Sequence, residues 1–67
     1  MNTDKMAAIL TDLRKKRNLT QSDVASAVDV SPSAYGMYET GDRIPRDEVK
    51  VRIAEFFGVS VQSIFFA

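Results

Sequence analysis

Residues 19–41 read LTQSDVASAVDVSPSAYGMYETG, and this stretch carries the start and stop signals of two short helices. Thr20 can cap the first helix, and the aspartate three residues later places a carboxylate near its positive end. Ser31, followed by proline, has the pattern of a second N-cap, and Gly41 supplies the stop. Because only about three residues separate the two helices, the chain must reverse sharply, which predicts a helix-turn-helix unit over about residues 20–40.

A helix before this unit is predicted from apolar residues at helical spacing. They form one stripe within residues 4–17, made of Met6, Ile9, Leu10 and Leu13. Thr3 or Asp4 can cap the start of this helix, and the four cations that end it suit the negative end of the helix dipole. Asn18 is a suitable left-handed terminator.

Two more helices are predicted after the unit. The first begins near Arg46 and ends at Gly58, and Ser60 then caps a last turn or two. No stretch alternates apolar and polar residues with the period of a strand. The sequence therefore predicts an all-α domain, compact and built from five helices, that takes up residues 1–67 as a single unit.

The composition disfavours several classes of function. The chain has 67 residues, of which 45% are hydrophobic and 27% charged, with a formal net charge of zero and neither cysteine nor histidine. It lacks the commonest metal ligands and the commonest general base, so we expect no catalytic site, metal or other cofactor. No apolar run approaches the roughly 18 residues of a membrane span, so we expect a cytoplasmic protein. If the partner is nucleic acid, the basic residues must be segregated on one face.

Short motifs along nearly the whole chain resemble the Cro/repressor (XRE-like) helix-turn-helix family. The matching residues are Leu13-Arg14, Leu19-Thr20-Gln21, Val24-Ala25, Val30-Ser31, Tyr38-Glu39, Gly41, Pro45, Ile53-Ala54 and Gly58-Val59-Ser60. The resemblance implies a lambda-repressor-like fold and a bacterial or phage-encoded transcriptional regulator that binds double-stranded DNA in the major groove. Repression is the commoner role in the family, and we expect it to be exerted by a dimer on a palindromic operator.

The resemblance also implies structural roles for individual residues. Ala25 is the small residue that lets the second and third helices cross closely, and an Arg14–Glu39 pair ties the first helix to the end of the third. Such a pair can also orient Arg14 towards a phosphate; the alternative is two unrelated exposed charges that contribute little. Asp29 stands where the family usually has glycine, and aspartate tolerates a left-handed backbone.

The second helix of the unit is implied to be the recognition helix. Helical spacing turns Tyr35 and Tyr38 inward, where filling the core is favoured over stacking on bases. The candidates for base contact are Pro32, Ser33, Ala34, Gly36 and Met37, with Gln21 from the preceding helix. The recognition face itself lacks side chains that make bidentate base contacts, so we expect specificity from thymine-methyl contacts, Gln21 and DNA shape. Gly36 either lets the backbone approach the groove or serves close helix packing.

Candidate phosphate contacts come from hydroxyl groups near helix ends and from basic side chains. They are Arg14, Lys16, Arg17, Thr20, Ser22, Ser31, Thr40 and Arg43, with Lys15 as an alternative to Lys16 and Arg46 as a further base in the loop. Asp42 stands where related proteins often carry a base, which weakens one expected contact.

The C-terminal residues are candidates for homodimer contacts. Ile64 and Phe65 can cover the core of their own domain, whereas Phe66 is surplus and we expect it to be exposed, so a dimer seam would involve these three residues. Single exposed apolar residues are also common on monomers. As a further alternative, the chain is the DNA-binding part of a longer repressor.

Two other functions stand beside DNA binding. Zero net charge and a neutral recognition face favour a protein-interaction module that keeps the fold without binding DNA. An enzyme is disfavoured, because Asp47 and Glu48 are explained as first-turn complements of a helix dipole. Among DNA-binding regulators, a phage or mobile-element repressor, an antitoxin, a restriction–modification controller and a host regulator all remain open.

Overall fold

The computed structural model describes residues 2–67, and these residues form five helices and no strand. The helices are α1 (Thr3–Lys16), α2 (Gln21–Ala27), α3 (Pro32–Thr40), α4 (Asp47–Phe57) and α5 (Val61–Phe65). The predicted all-α, five-helix architecture is confirmed, and Met1 of the predicted domain lies outside the described residues. Within residues 2–67, every helix is too short or too polar to span a lipid bilayer.

Side-chain oxygens cap three of the helices at the positions that the sequence predicts. The capping residues of α2, α3 and α5 are Thr20, Ser31 and Ser60. The predicted cap of α1 at Thr3 or Asp4 is wrong. The cap is Asn2, whose Oδ1 accepts a hydrogen bond from the backbone N–H of Lys5 at 3.0 Å. Asparagine is among the most favourable capping residues, and α1 begins at Thr3, directly after this cap.

Left-handed residues end or join the helices where the sequence predicts them. The backbone φ angles are 56° at Asn18, 60° at Asp29, 81° at Gly41 and 68° at Gly58. Asp29 lies in the turn between α2 and α3, so this turn holds a residue with a Cβ in a conformation that favours glycine. The helix-turn-helix therefore forms with aspartate in place of glycine, at a cost in backbone strain.

A single hydrophobic core positions α3. The largest fully buried side chains are Tyr35, Phe65, Met6, Leu10, Ile53, Ile64, Val24 and Val28. The helix α3 packs against both α1 and α2, and its two tyrosines face the core with their rings edge to face at 6.1 Å. Ala25 on α2 is fully buried, which fits the small residue that a close crossing of α2 and α3 requires.

Three of the residues named as candidates for DNA or dimer contacts are buried. Ala34 is only 9% exposed, because it lies one turn before Tyr38 and shares the core-facing side of α3, so little of its surface is left for the predicted base contact. Ile64 and Phe65 are each 1% exposed and cover the domain's own core, as the sequence allows, so little of either side chain is left for the predicted dimer seam. Phe66 is 61% exposed, as predicted.

Two arginines connect helices that are far apart in sequence through backbone carbonyls. Arg17 donates to the carbonyl oxygens of Phe56 and Phe57 at 2.9 and 2.8 Å, and its guanidinium lies 5.7 and 5.3 Å from the centres of the two rings. Arg52 Nε donates to the carbonyl of Val28 at 2.8 Å. These carbonyls lie at the C-terminal ends of α4 and α2, where a carbonyl oxygen has no N–H partner within its own helix.

Lys50 fastens the C-terminal residues to α4. Its side chain is 11% exposed, and Nζ lies 5.8 Å from the ring centre of Phe65 and 5.3 Å from that of Phe66. The carboxylate of Asp47 is 3.6 Å from Nζ. The ammonium group thus lies between a carboxylate and two aromatic rings, an arrangement that offsets its burial.

Replacing Asp29 with glycine is expected to raise the free energy of unfolding by about 0.5–1 kcal/mol. Glycine removes the strain of φ 60° and loses part of that gain to the greater entropy of its unfolded chain. Urea denaturation of Asp29→Gly and the parent protein measures the difference.

Gly58→Ala is the matched control for the sign of this effect. A Cβ at Gly58 would meet no heavy atom within 4 Å, so the substitution introduces backbone strain alone at φ 68°. We expect it to lower the free energy of unfolding by about 1 kcal/mol. If Asp29→Gly also loses stability, the interactions of the aspartate side chain contribute more to stability than its backbone strain costs.

Candidate nucleic-acid interface

The N-terminal ends of α2 and α3 carry hydroxyl groups that keep a free hydrogen. Thr20 Oγ1 accepts from the backbone N–H of Asp23 at 3.0 Å, and Ser31 Oγ accepts from that of Ala34 at 3.0 Å. Asp23 Oδ2 in turn accepts from the N–H of Thr20 at 2.8 Å, and this contact lowers the pKa of Asp23. Within residues 2–67 neither hydroxyl donates a hydrogen bond, so its hydrogen remains available to a phosphate oxygen.

The carboxylate of Glu39 joins α1, α2 and α3. Arg14 donates to it through two nitrogens, Nε to Oε2 at 2.7 Å and Nη2 to Oε1 at 2.9 Å. Thr11 Oγ1 lies 3.2 Å from Oε1, and Gln21 Nε2 donates to the same oxygen at 3.1 Å. The Glu39 side chain is 3% exposed and that of Arg14 is 14% exposed, so this is a buried bidentate ion pair.

Hydrogen bonding keeps Glu39 ionised despite its burial. Burial by itself raises the pKa of the carboxyl, but its polar contacts with Arg14, Tyr35 and Gln21, in that order, outweigh it and hold the pKa below its ordinary value. The Tyr35 hydroxyl faces the same carboxylate without reaching good hydrogen-bond geometry, and it finds no other partner in residues 2–67. Burial, with the negative charge of Glu39 added, raises the pKa of this phenol.

Each of the three nitrogens of Arg14 already donates a hydrogen bond within the domain, and one N–H remains on each of Nη1 and Nη2. Nη1, the nitrogen that does not contact Glu39, donates to the carbonyl of Leu19 at 2.9 Å. The pKa of Arg14 is raised, chiefly by the hydrogen bond with Glu39. The structure thus gives Arg14 the pairing role that the family resemblance implies, and its phosphate contact stays a prediction for the two remaining N–H groups.

The outward side of α3 is small and neutral. Pro32, Ser33 and Met37 are exposed and carry one hydroxyl and no charge among them. Gly36 is partly buried, and the side chain of Gln21 lies beside it. Gln21 Oε1 is 3.3 Å from the place where a Cβ at Gly36 would be. Gln21 itself is exposed and lies beside α3 at this point. The predicted base-contact candidates other than Ala34 therefore remain on one accessible surface or at its edge.

Several predicted phosphate contacts are engaged within the domain. Arg17 bonds to the end of α4, as described above, and Lys16 Nζ lies 3.0 Å from Asp12 Oδ2 in an exposed pair. Thr40 Oγ1 lies 2.8 Å from Asp42 Oδ2, so its hydroxyl already has an acceptor within the domain. Ser22 is exposed, and within residues 2–67 its side chain makes no hydrogen bond.

The exposed cations without an ion-pair partner in the described residues include two arginines next to α3. Arg43 and Arg46 are exposed, and both line an open groove of about 550 Å³ that also borders Ser31, at the start of α3. Lys15 is exposed at the end of α1. The sequence names Arg43 as a phosphate contact and Arg46 only as a further base in the loop. The position of Arg46 beside the groove depends on how the 42–46 loop folds against α3.

The chain is similar to known transcriptional regulators. A family model described as helix-turn-helix matches residues 10–64. The cryptic phage CTXphi transcriptional repressor RstR of Vibrio cholerae is 34% identical over 55 residues, which cover 82% of this chain and 50% of the repressor. An uncharacterized HTH-type transcriptional regulator of Methanocaldococcus jannaschii is 38% identical over 52 residues, covering 78% of this chain and 79% of that protein.

The HTH-type transcriptional regulator AnsR of Bacillus subtilis is 33% identical over 64 residues, which cover 96% of this chain and 52% of that protein. The chain thus spans about half the length of the two named regulators, RstR and AnsR. No solved structure matches the chain.

Replacing Glu39 with glutamine is expected to lower the free energy of unfolding at pH 7 by about 1.5–3 kcal/mol, because Arg14 then lies buried without a counter-charge. Urea denaturation measures the loss. The control is Asp12→Asn, which breaks an exposed pair with Lys16 and should change stability by less than about 0.5 kcal/mol. Equal losses in both variants would contradict a special role for the buried pair.

The stabilisation from Glu39 should decrease as the pH falls. Because the pKa of Glu39 is lowered on folding, the stabilisation is fully present above the ordinary glutamate value of about 4.3 and is lost as pH falls through the lowered value. We expect the stability difference between the parent protein and Glu39→Gln to stay constant from pH 7 to about pH 5 and to shrink below about pH 4. A difference that stays unchanged at acid pH would contradict the lowered pKa.

Proposed function

Because this chain belongs to the Cro/C1-type helix-turn-helix family of DNA-binding transcriptional regulators, we propose that it binds a specific double-stranded DNA operator with α3 in the major groove. The observation that carries the proposal is the buried Glu39 cluster, which fixes α2 and α3 on α1 and leaves the outward side of α3 in solvent. We infer repression as the outcome, since the phage relative carries that description. The site of action is then the cytoplasm of a bacterial cell.

The two ends of the α2–α3 unit supply different phosphate contacts in this proposal. At the N-terminal ends, the hydroxyls of Thr20, Ser22 and Ser31 and the backbone N–H groups beside them suit phosphate oxygens. On the side of the groove, Arg43 and Arg46 supply positive charge. Lys15 adds a third exposed cation at the end of α1.

We further propose that the protein acts as a homodimer on a palindromic operator. One domain reads only a few base pairs, and two domains related by a two-fold axis fit half-sites about 34–36 Å apart. Phe66 is the remaining C-terminal candidate for the seam, because Lys50 holds one face of its ring while 61% of the residue stays exposed. Sedimentation of the protein with an operator of two half-sites, for Phe66→Ala and the parent, tests this assembly.

Selection of bound sequences from a random duplex pool tests the function as a whole. We expect an enriched motif with two-fold symmetry. A pool that stays random, together with no retention on non-specific duplex at low salt, would contradict DNA binding and would favour a protein-interaction module. An enriched motif without symmetry would contradict the dimer alone.

The salt dependence of binding should separate the roles of two arginines. Arg43→Ala is expected to reduce the slope of log affinity against log salt concentration by about one unit, because one phosphate contact is lost. Arg17→Ala is expected to leave the slope unchanged and to lower stability instead, since its guanidinium bonds to the end of α4. Fluorescence anisotropy with a labelled operator at several salt concentrations measures both slopes.

The opposite slope result for either arginine would contradict the role proposed for it. An unchanged slope in Arg43→Ala would remove the 42–46 loop from the DNA contact. A reduced slope in Arg17→Ala, measured at a temperature where the variant is fully folded, would show that its guanidinium leaves α4 to reach a phosphate.

A further inference from the structure

The open groove beside α3 is bounded by the α2–α3 turn, the 42–46 loop and α4. Its apolar lining is made of Val30, Ala34, Tyr38, Ile44 and Val49. Its volume of about 550 Å³ lies within the range of sites that hold ligands in proteins. The groove is therefore large enough to receive several side chains of a partner.

Three arginines border this groove and keep N–H groups for a partner. Within residues 2–67, Arg43 and Arg46 have no ion-pair partner. Arg52 uses Nε for the carbonyl of Val28, and in the same part of the chain its two terminal nitrogens make no hydrogen bond. Because this contact already holds the guanidinium, little further side-chain freedom is lost when the terminal nitrogens bind.

Ile44 places a hydrocarbon side chain between two of these cations. It follows Arg43 in the loop, lines the groove and is 46% exposed. It takes no part in the hydrophobic core of the domain. An exposed isoleucine gains free energy from an apolar side chain of a partner and gains none from a phosphate.

We propose that the groove is a docking site for an acidic peptide segment of a partner protein. An apolar side chain of the segment packs on Ile44 and Val30, and neighbouring carboxylates pair with Arg43 and Arg46. A guanidinium receives a carboxylate through two parallel N–H···O contacts, which favours this pairing. Small ligands need sites that bury about 70–90% of their surface, whereas a peptide docks with one side only, as an open groove requires.

The acids of the groove favour a peptide over the backbone of a duplex. Asp29 and Glu48 also line the groove, and within residues 2–67 neither forms an ion pair with an arginine. Duplex DNA carries one negative charge for about every 1.7 Å of its axis, so a backbone laid along the groove would face both carboxylates. A peptide places its own carboxylates opposite the arginines alone. The proposal thus goes beyond DNA binding and does not depend on it.

The experiment begins with selection from a random library of displayed short peptides, with the full chain as bait. The enriched peptide is then titrated by fluorescence anisotropy against the parent, Ile44→Ala and Glu48→Gln, with Val51→Ala as control. Val51 is 45% exposed, as much as Ile44, and lies outside the groove. Each variant is melted first, so that folding is measured apart from binding. The same proteins are titrated with non-specific duplex at low salt, and their self-association is measured by sedimentation.

We expect the enriched peptides to combine acidic residues with at least one aliphatic or aromatic residue. Ile44→Ala should weaken peptide binding by about 5- to 10-fold, because an apolar contact is lost. Glu48→Gln should strengthen it by about 2- to 5-fold, because a carboxylate no longer repels the peptide. Val51→Ala should leave it unchanged, and Ile44→Ala should bind duplex as the parent does.

Enrichment of no peptide, or of peptides without acidic residues, would overturn the proposal. Equal losses in Ile44→Ala and Val51→Ala, or weaker binding in Glu48→Gln, would overturn it by placing the peptide elsewhere. A loss of duplex affinity in Ile44→Ala would assign the groove to DNA, and a loss of self-association would assign it to a second copy of the chain. Failure of the parent to bind duplex would contradict the proposed function alone, since the peptide titrations decide the groove by themselves.

Discussion

A carboxylate that is 3% exposed must be matched by donors, and the donors of Glu39 come from two other helices. Leaving such a charge unpaired costs several kcal/mol, so α1 and α2 can take only positions that bring Arg14 and Gln21 to it. The bidentate geometry of Arg14 narrows the choice further, because both N–H···O contacts must form in one plane. The angle at which α3 presents its outer side is a consequence of this one buried pair together with the hydrophobic core.

Several basic side chains also serve to hold the domain together. Arg14, Arg17 and Arg52 all donate to backbone carbonyls, and Lys50 is buried against two aromatic rings. These four cations hold parts of the domain together. At zero net charge, Arg43 and Arg46 border the recognition helix, and the other three arginines serve the fold.

The fold could be predicted from the sequence because its decisive signals are local. Caps at Thr20 and Ser31, the left-handed Asp29 and the stop at Gly41 each depend on a few neighbouring residues. The errors lie where the answer depends on distant parts of the chain. A helical wheel puts Ala34 at the edge of the outer side, and only the packing of α3 decides that it is buried. For Ile64 and Phe65 the sequence leaves both core burial and dimer contact open, and the docking of α5 on the core decides for burial.

The candidate site was less predictable than the fold for the same reason. Each chemical group could be named from the sequence, but its availability could not. Arg17 ends α1 as a plausible phosphate contact until Phe56 and Phe57, about forty positions on, accept its hydrogen bonds. The relation of Gln21 to Gly36 joins two helices side by side, and a sequence pattern within either one carries no trace of it. Spacing predicts which residues share a face, whereas their partners depend on the assembled fold.

The arginine bridges have a consequence for how the domain opens. Arg14 joins α1 to the chain before α2, Arg17 joins the end of α1 to the end of α4, and Arg52 joins α4 to the end of α2. Any helix that detached alone would break a bridge as well as the core, so no segment of this part of the fold forms an independent unit of local unfolding. Amide hydrogens in α1, α2 and α4 should then exchange with solvent through a common, global opening. A chain without disulfides reaches cooperativity here through hydrogen bonds that cross it.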